Sequence, residues 1–505
     1  MRILTRPLLS LLFSGLATAG LADVTAQQVW GDWRNIMERF GYQVSVSERP
    51  NASGLALQDL SIAVDIDTNG SRAEMMIGNV DFIENQDGTV NVMFVEQVPA
   101  QVRLTPPEGE SVAFTMNYRQ SGLQMRVSGT PEQMHYDFSA QSMRAELRDF
   151  VLDGTAIPST MMRIVFGLDD LDGTSETAMD QTGQVSKTFN AKRMHYDIAF
   201  ADPQSTETAT ITGSAQDVRF DATSRVPDAA SAPADAAALL RAGFGLDGAF
   251  SYGPSQMQIA ANSPDGPFSG TASSSGGGLQ IALSRAGLQY RTRQQDLNVN
   301  MTSAASPLPI AFQVAKSAFH LALPLEKRDS ASDFSLGFEL GGFTMSEMIW
   351  GLFDPAGQLS RDPATIALDL TGKLRIVLDL LDPANIAAAG QAQNVPAQLE
   401  ALTINDLRLS LAGAALNGSG VFTFDTPPGL ATLPKPTGNL SLRLVGANQL
   451  IDTLVGMGLL PQEQAMGARM MMGLLAVPGD GPDTLVSQIE INAQGHVIAN
   501  GQRIQ

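Results

Sequence analysis

Apolar and polar residues alternate with a period of two along most of this chain. Clear examples are the segments 60–66, 334–340, 374–380 and 440–444. Because successive side chains of a strand point to opposite faces, each segment predicts a strand with one apolar face. Asn-Gly and Asp-Gly pairs between such segments favour tight hairpins. The pattern predicts a mainly β fold of long twisted antiparallel sheets, meander-like, shaped as a groove or as a sandwich.

Helical periodicity replaces this alternation in a few short segments. Thr25 and Gln28 have capping-box spacing, and apolar residues then recur every three or four positions. We therefore predict an amphipathic helix over 23–41, which packs on the sheet or binds a membrane surface or partner. Segments 158–166 and 346–353 also have the spacing of short helices.

A helical hairpin is predicted near the C-terminus, over 448–476. Its helices carry more apolar residues than two short helices bury against each other, so we expect them to cover the open edge or mouth of the adjoining sheet. The hairpin is then either plain core or a movable gate, since each internal glycine weakens a helix by about 1 kcal/mol relative to alanine. The candidate apolar gate consists of Leu450, Leu454, Met466, Met470, Met471 and Leu474.

The first 22 residues have the features of a cleavable signal peptide. Basic residues precede a short apolar segment, 8–21, and small residues lie just before Asp23. The apolar segment is shorter than the roughly 18 residues that a membrane span needs. We expect the mature chain to begin near Asp23 and to lie in the periplasm without a transmembrane anchor.

The remaining chain divides by composition into two β-rich lobes. We assign an N-terminal lobe to 42–225, a linker with a short helix to 226–243, and a C-terminal lobe to 244–505. The boundary is placed there because residues 226–233 are rich in Pro, Ala and Asp.

Composition excludes several classes of function. The 505 residues include no cysteine, so disulfides, thiolate metal sites and a lipid-anchored N-terminal cysteine are excluded. The formal net charge of −20 repels phosphate backbones, so nucleic acid is excluded as a partner. Hydrophobic residues make up 44% of the chain, enough for a large core.

No constellation of residues indicates catalysis or a cofactor. Asp65, Asp67 and Asn69 match the first half of a calcium loop, but the twelfth position is Met76 and both flanks alternate as strands. A hairpin turn explains these residues better, and we predict no metal site. Serine motifs and phosphate-binding loops are also missing. We therefore predict no catalytic residue, no cofactor and no enzymatic activity.

The four histidines are too few and too scattered to form a metal site by sequence spacing. His135 and His195 share the local sequence Met-His-Tyr-Asp. In a repeated fold the two could converge on one ligand; the alternative is that both lie on exposed strand faces.

The C-terminal block resembles a known group of proteins. Gly458-Leu-Leu-Pro461, the methionine-rich helix around Arg469, Ile489 to Gly495 and Asn500 to Ile504 resemble a family of exported Gram-negative proteins known as a domain of unknown function. More distantly, the final strand and turn are similar to AsmA-like proteins. That resemblance implies long grooved β-sheets with apolar interiors and a part in lipid traffic between two membranes. It implies no catalytic residues, and this chain lacks the retained membrane helix of those proteins.

These observations lead to one functional hypothesis and two alternatives. We expect a non-catalytic periplasmic envelope protein that binds or shields a lipid or other apolar ligand in a β-groove. The first alternative is a scaffold with a closed dry core that binds an envelope protein partner. The second, more remote, is a hydrolase with an unrecognised site.

Overall fold

A computed structural model describes residues 23–65, 72–104, 110–178, 183–202, 205–227, 236–382, 385, 396–425 and 435–505. The predicted signal peptide lies outside these residues. The helices whose bounds lie within these residues are α1 (Ala26–Arg39), α2 (Ala236–Arg241), α3 (Glu347–Trp350), α4 (Ala447–Gly456) and α5 (Gln462–Leu475). The strands of the N-terminal half are β1 (Gln43–Asn51), β2 (Gly54–Asp65), β3 (Arg72–Glu84), β4 (Val90–Phe94), β5 (Gln97–Leu104), β6 (Val112–Ser121), β7 (Gln124–Thr130), β8 (Gln133–Leu152), β9 (Thr155–Ala156), β10 (Met162–Ala178), β11 (Gln184–Ala201) and β12 (Thr208–Arg225). Those of the C-terminal half are β13 (Gly245–Tyr252), β14 (Ser255–Ser263), β15 (Gly266–Ser274), β16 (Gly276–Ser284), β17 (Gly287–Ser303), β18 (Ser306–Pro324), β19 (Ser332–Met345), β20 (Ala364–Ile376), β21 (Ala397–Leu411), β22 (Ala414–Asp425), β23 (Lys435–Val445), β24 (Val477–Pro478), β25 (Thr484–Ile491), β26 (Val497–Ala499) and β27 (Gln502–Arg503).

The 27 strands of the described residues all belong to one antiparallel sheet, which confirms the predicted fold class. Strands β1 to β3 pair in order, and β3 reaches β8 through β4 and β7. The other part of β8 pairs with β6, which pairs with β5. From β8 the sheet continues through β10 and β11 to β12.

The sheet continues across the segment that we assigned to the linker. Strand β12 pairs with both β13 and β14, and these reach β17 through β16 and β15. Strands β17 to β23 then pair in order, and β25, β26 and β27 complete the sheet. Helix α2 lies between β12 and β13. One sheet therefore spans both predicted lobes.

Several long strands contain a residue with left-handed backbone, which shifts the alternation of faces by one position. In five strands this residue is an aspartate, with φ between 49° and 53°: Asp59, Asp149, Asp170, Asp217 and Asp296. Aspartate tolerates this conformation better than most residues. As a result Leu168 and Leu171, three positions apart in β10, pack into one apolar cluster. The strands thus keep one apolar face along their whole length.

Helix α1 covers the apolar face at the N-terminal end of the sheet. It begins at the predicted capping box, in which the Thr25 hydroxyl accepts a hydrogen bond from the Gln28 amide and the Gln28 side chain accepts one from the Thr25 amide. Val29 and Trp30 are buried against Phe82 and the strands around it. The predicted amphipathic helix therefore closes a dry core.

The helix predicted over 158–166 is wrong. Residues after Pro158 form a turn, and Met162 begins β10. Ile164 and Phe166 pair with Ile198 and Tyr196 of β11, so their spacing belongs to a strand. An apolar run this short fits either period, and the partner strand decided it. The helix predicted over 346–353 is present in shorter form as α3.

Candidate functional site

A continuous row of mainly apolar residues crosses the sheet on one face, from β8 to β23. Each member is the direct cross-strand partner of the next. The row consists of Phe138, Gly173, Phe189, Phe220, Phe250, Leu279, Thr292, Phe319, Phe338, Leu368, Leu407, Gly418 and Leu442. Since neighbouring strands lie about 4.8 Å apart, these thirteen strands give the row a length of roughly 60 Å. We name the face that carries it the apolar face.

Outside the part near Leu283 that α2 covers, the apolar face is open over the C-terminal half of the sheet. Among the described strand residues from Gly245 to Val445, the buried hydrophobic residues are only Val314, Ala367 and Ile376. Large side chains of the apolar face keep much of their surface exposed: Ile310 44%, Phe338 43%, Ile366 45% and Leu409 46%. In contrast, Phe82 under α1 is 1% exposed. The same alternation therefore builds a dry core at one end and an accessible apolar surface beyond it.

Glycines on this face lie beneath large neighbouring side chains. A Cβ atom on Gly173 would lie 2.5 Å from Cζ of Phe138, and one on Gly418 would lie 2.6 Å from Cδ2 of Leu442. The missing side chains let the Phe138 ring and the Leu442 side chain extend along the sheet. These large side chains therefore cover the glycine positions of the row.

A cavity of about 330 Å³ lies where α1 meets the apolar face. Trp33, Ile36 and Met37 of α1 line one side, and Phe138 and Val185 of the sheet line the other. Phe138 is also the first member of the row. The cavity therefore lies at the end of the row, between the dry core and the open part of the apolar face.

One carboxyl group is buried among the residues that line this cavity. Asp32 is 3% exposed, and its Oδ2 atom accepts hydrogen bonds from the Tyr136 hydroxyl at 2.5 Å and the Thr177 hydroxyl at 2.9 Å. Its Oδ1 atom has no hydrogen-bond partner within the described part of the chain. Burial raises the pKa of Asp32, and the bonds from Tyr136 and Thr177 oppose that rise. Asp32 is thus a buried carboxyl group with only one of its two oxygen atoms hydrogen-bonded to described residues.

Replacing Asp32 by asparagine is expected to stabilise the protein near neutral pH. The pKa of Asp32 is raised in the folded state, so its carboxyl group ionises at lower pH in the unfolded chain. The free energy of unfolding therefore falls as pH rises from the unfolded-state pKa through the folded-state pKa. Asparagine keeps an oxygen for Tyr136 and Thr177 and carries no charge. Urea unfolding at several pH values should show a gap between Asp32→Asn and wild type that widens from pH 4 upward. A gap independent of pH would contradict a raised pKa.

Sequence reasoning missed this cavity. The signal was present, because Asp32 lies on the same helix face as Val29, Trp33 and Ile36 and interrupts an otherwise apolar stripe. A carboxylate at such a position is either exposed at the edge of the stripe or held by partners. Those partners, Tyr136 and Thr177, are more than a hundred residues away, so the sequence did not reveal them.

The residues of the candidate gate lie on α4 and α5, at the far end of the row. Leu450 and Leu454 are half-buried on α4, whereas Met466, Met470, Met471 and Leu474 of α5 are 51–71% exposed. The hairpin is held at its base, where the Asp483 carboxylate accepts hydrogen bonds from the Gln449 amide and the Asn448 side chain. The gating role of these six residues stays a prediction.

The remaining candidates do not come together as a site. Asp67 and Asn69 lie outside the described residues, and Asp65 pairs with Arg72 at 2.8 Å. Within the described ranges, no group of three or more His, Asp or Glu residues is arranged to hold a metal ion. His135 and His195 face Glu176 and Gly167 of β10. These positions are nine residues apart in one strand, roughly 30 Å, so the two histidines do not converge.

Asn500, in the C-terminal block that carries the resemblance, and Arg361, before β20, both have structural roles. The Asn500 side chain accepts a hydrogen bond from the Gln488 amide and donates one to the Leu475 carbonyl, at 2.8 and 3.0 Å. It thereby ties the last turn to the end of α5. Arg361 pairs with the buried carboxylate of Asp354 and stacks 4.3 Å from the Trp350 ring.

The chain matches a family of known proteins. In the part of the chain that the structure describes, no helix has the length and apolarity to cross a bilayer. No curated protein matches the sequence. Residues 197–497, more than half of the chain and most of the row, match the model of a family described as an uncharacterised protein conserved in bacteria (DUF2125). The chain therefore belongs to this bacterial family of domain-of-unknown-function proteins.

Proposed function

We propose that this protein binds a lipid or another long apolar ligand along the apolar face, without catalysing a reaction. The observation that carries this proposal is the row of roughly 60 Å on an apolar face where Phe338 of the row and its neighbours Ile366 and Leu409 are more than 40% exposed. Soluble proteins rarely expose a contiguous apolar surface of this extent unless it binds something. A ligand that covers it gains about 25 cal/mol for each Å² of apolar surface removed from water.

We further propose that the protein binds its ligand in the periplasm. The signal-like N-terminus supports export to the periplasm, where lipids must cross an aqueous space. The distant resemblance to AsmA-like proteins supports a part in lipid traffic. In this arrangement α1 closes one end of the apolar face, and the α4–α5 hairpin lies beside the other.

A second candidate function rests on the hairpin. Met466 and Met470 are 64% and 71% exposed, and unbranched methionine side chains adapt to varied partner surfaces. Such a surface suits a scaffold that binds an envelope protein. Binding of a partner by the hairpin and of a lipid by the apolar face are separable by mutation.

Replacing Phe338 by glutamate is expected to weaken binding of a fluorescent fatty acid at least tenfold, which corresponds to about 1.4 kcal/mol. The new carboxylate would lie in the middle of the row, where an apolar chain would have to desolvate it. Phe338 is already 43% exposed, so the sheet tolerates the change.

Val421→Glu is the matched control, because Val421 is 56% exposed and lies on the opposite face of β22. It should bind the probe as wild type does. Mass spectrometry of organic extracts from protein purified without detergent would complement the titration. Wild-type protein that neither yields a stoichiometric lipid nor takes up the probe would overturn the proposal.

A further inference from the structure

A single charged side chain lies on the apolar face of the described strands from β10 to β25. It is Lys187 of β11, which pairs with Ser175 of β10 and Ala222 of β12. The other charged residues of these strands occupy the opposite face, as Asp172 and Asp221 do beside it. A lysine at this position is therefore an exception that the surrounding pattern does not explain.

Lys187 is accessible and uncommitted. Its side chain is exposed and lines the cavity beneath α1, two positions along β11 from Phe189 of the row. It forms no ion pair with any residue that the structure describes. On the polar face nearby, Lys192 pairs with Asp170 and Arg219 pairs with Asp221. An ammonium group thus stands free where the row meets the cavity.

The charge of the whole molecule makes this position informative. At a net charge of −20, the protein repels anions unless a local cation attracts them. Because Lys187 also lines the cavity, an anion bound between it and the apolar face is partly removed from water, which strengthens its attraction to the ammonium group. A ligand that reaches Lys187 must also lie against the apolar face. It is therefore both anionic and apolar.

We propose that Lys187 binds the anionic group of a long-chain amphiphile, a carboxylate or a phosphate, while the apolar chain lies in the cavity and along the row. This inference rests on the proposed function and names its ligand class. The lysine would set the position and direction of the ligand, because it is the one cation on the apolar face of the described strands from β10 to β25. Asp32, Tyr136 and Thr177 line the same cavity, and the Asp32 carboxyl group is held there by the Tyr136 and Thr177 hydroxyls.

Three probes with the same apolar chain separate the effect of head-group charge from that of the chain: anionic oleate, neutral oleyl alcohol and cationic oleylamine. Wild-type protein should bind oleate about tenfold more tightly than oleyl alcohol, and oleylamine most weakly. Lys187→Met should remove the preference for oleate and leave the affinity for oleyl alcohol within twofold. Lys187→Glu should favour oleylamine over oleate. Raising the salt concentration should weaken oleate binding in wild type but not in Lys187→Met.

Lys192→Glu provides the control, since it makes the same charge change on the opposite face of the same strand. It should keep the wild-type order of the three probes. Unchanged oleate preference in Lys187→Met would overturn the assignment of Lys187, even though the apolar ligand still binds. Failure of wild type to bind oleyl alcohol or oleate would instead overturn the proposed function. Acetate or inorganic phosphate that binds as tightly as oleate would show a free anion site and also reject the proposal.

Discussion

Replacing Phe82 by alanine is expected to lower the free energy of unfolding by about 3–5 kcal/mol, whereas the same change at Phe338 should cost about 1 kcal/mol. Both residues are strand phenylalanines on the apolar side of the same sheet. Phe82 is 1% exposed and packs against Trp30 and Trp33 of α1. Phe338 is 43% exposed, so its removal leaves no enclosed cavity.

Urea unfolding of the two variants beside wild type measures this difference. The two changes remove the same atoms, so they differ only in how far the site is covered. Equal and large losses at both positions would show that the C-terminal half of the apolar face is a dry core. That result would favour the closed scaffold over the ligand-binding face.

The second large effect is expected at Gly173, where alanine should destabilise the protein by about 1–3 kcal/mol. The added Cβ would lie 2.5 Å from both the Phe138 ring and the Thr188 carbonyl oxygen. The ring can rotate away, but the backbone oxygen of the paired strand cannot. Moving the Phe138 ring would also disturb the cavity and the start of the row.

Gly248→Ala is the matched comparison for this prediction. Gly248 lies in β13 with ordinary backbone, and a Cβ there would have no neighbour closer than 3.9 Å. Alanine at that position should be neutral or stabilise by up to about 1 kcal/mol, since it restricts the unfolded chain. Thermal unfolding of the two variants in parallel tests the pair. Similar stabilities would mean that the tight packing over Gly173 relaxes without cost.

The sequence predicts the elements well where a local signal is complete. Alternation gave one apolar face per strand, and the Thr25–Gln28 capping box placed the start of α1. It failed over 158–166, because Met162 to Phe166 satisfies both a helical and a strand spacing over so few residues. It also missed the left-handed aspartates such as Asp170, since aspartate is more typical of turns than of strand interiors.

The apolar pattern of the strands and the absence of catalytic motifs were determined by the sequence alone, because both are properties of neighbouring residues. Which apolar residues are buried was decided by the tertiary structure. Burial depends on what covers a face, and α1 covers Phe82 but leaves Phe338 accessible. Only the cross-strand register brings together the residues of the row, of the cavity with Asp32 and around Lys187, because they are distant along the chain. The left-handed residues add a second effect that the sequence does not show, since each one shifts the alternation of strand faces by one position.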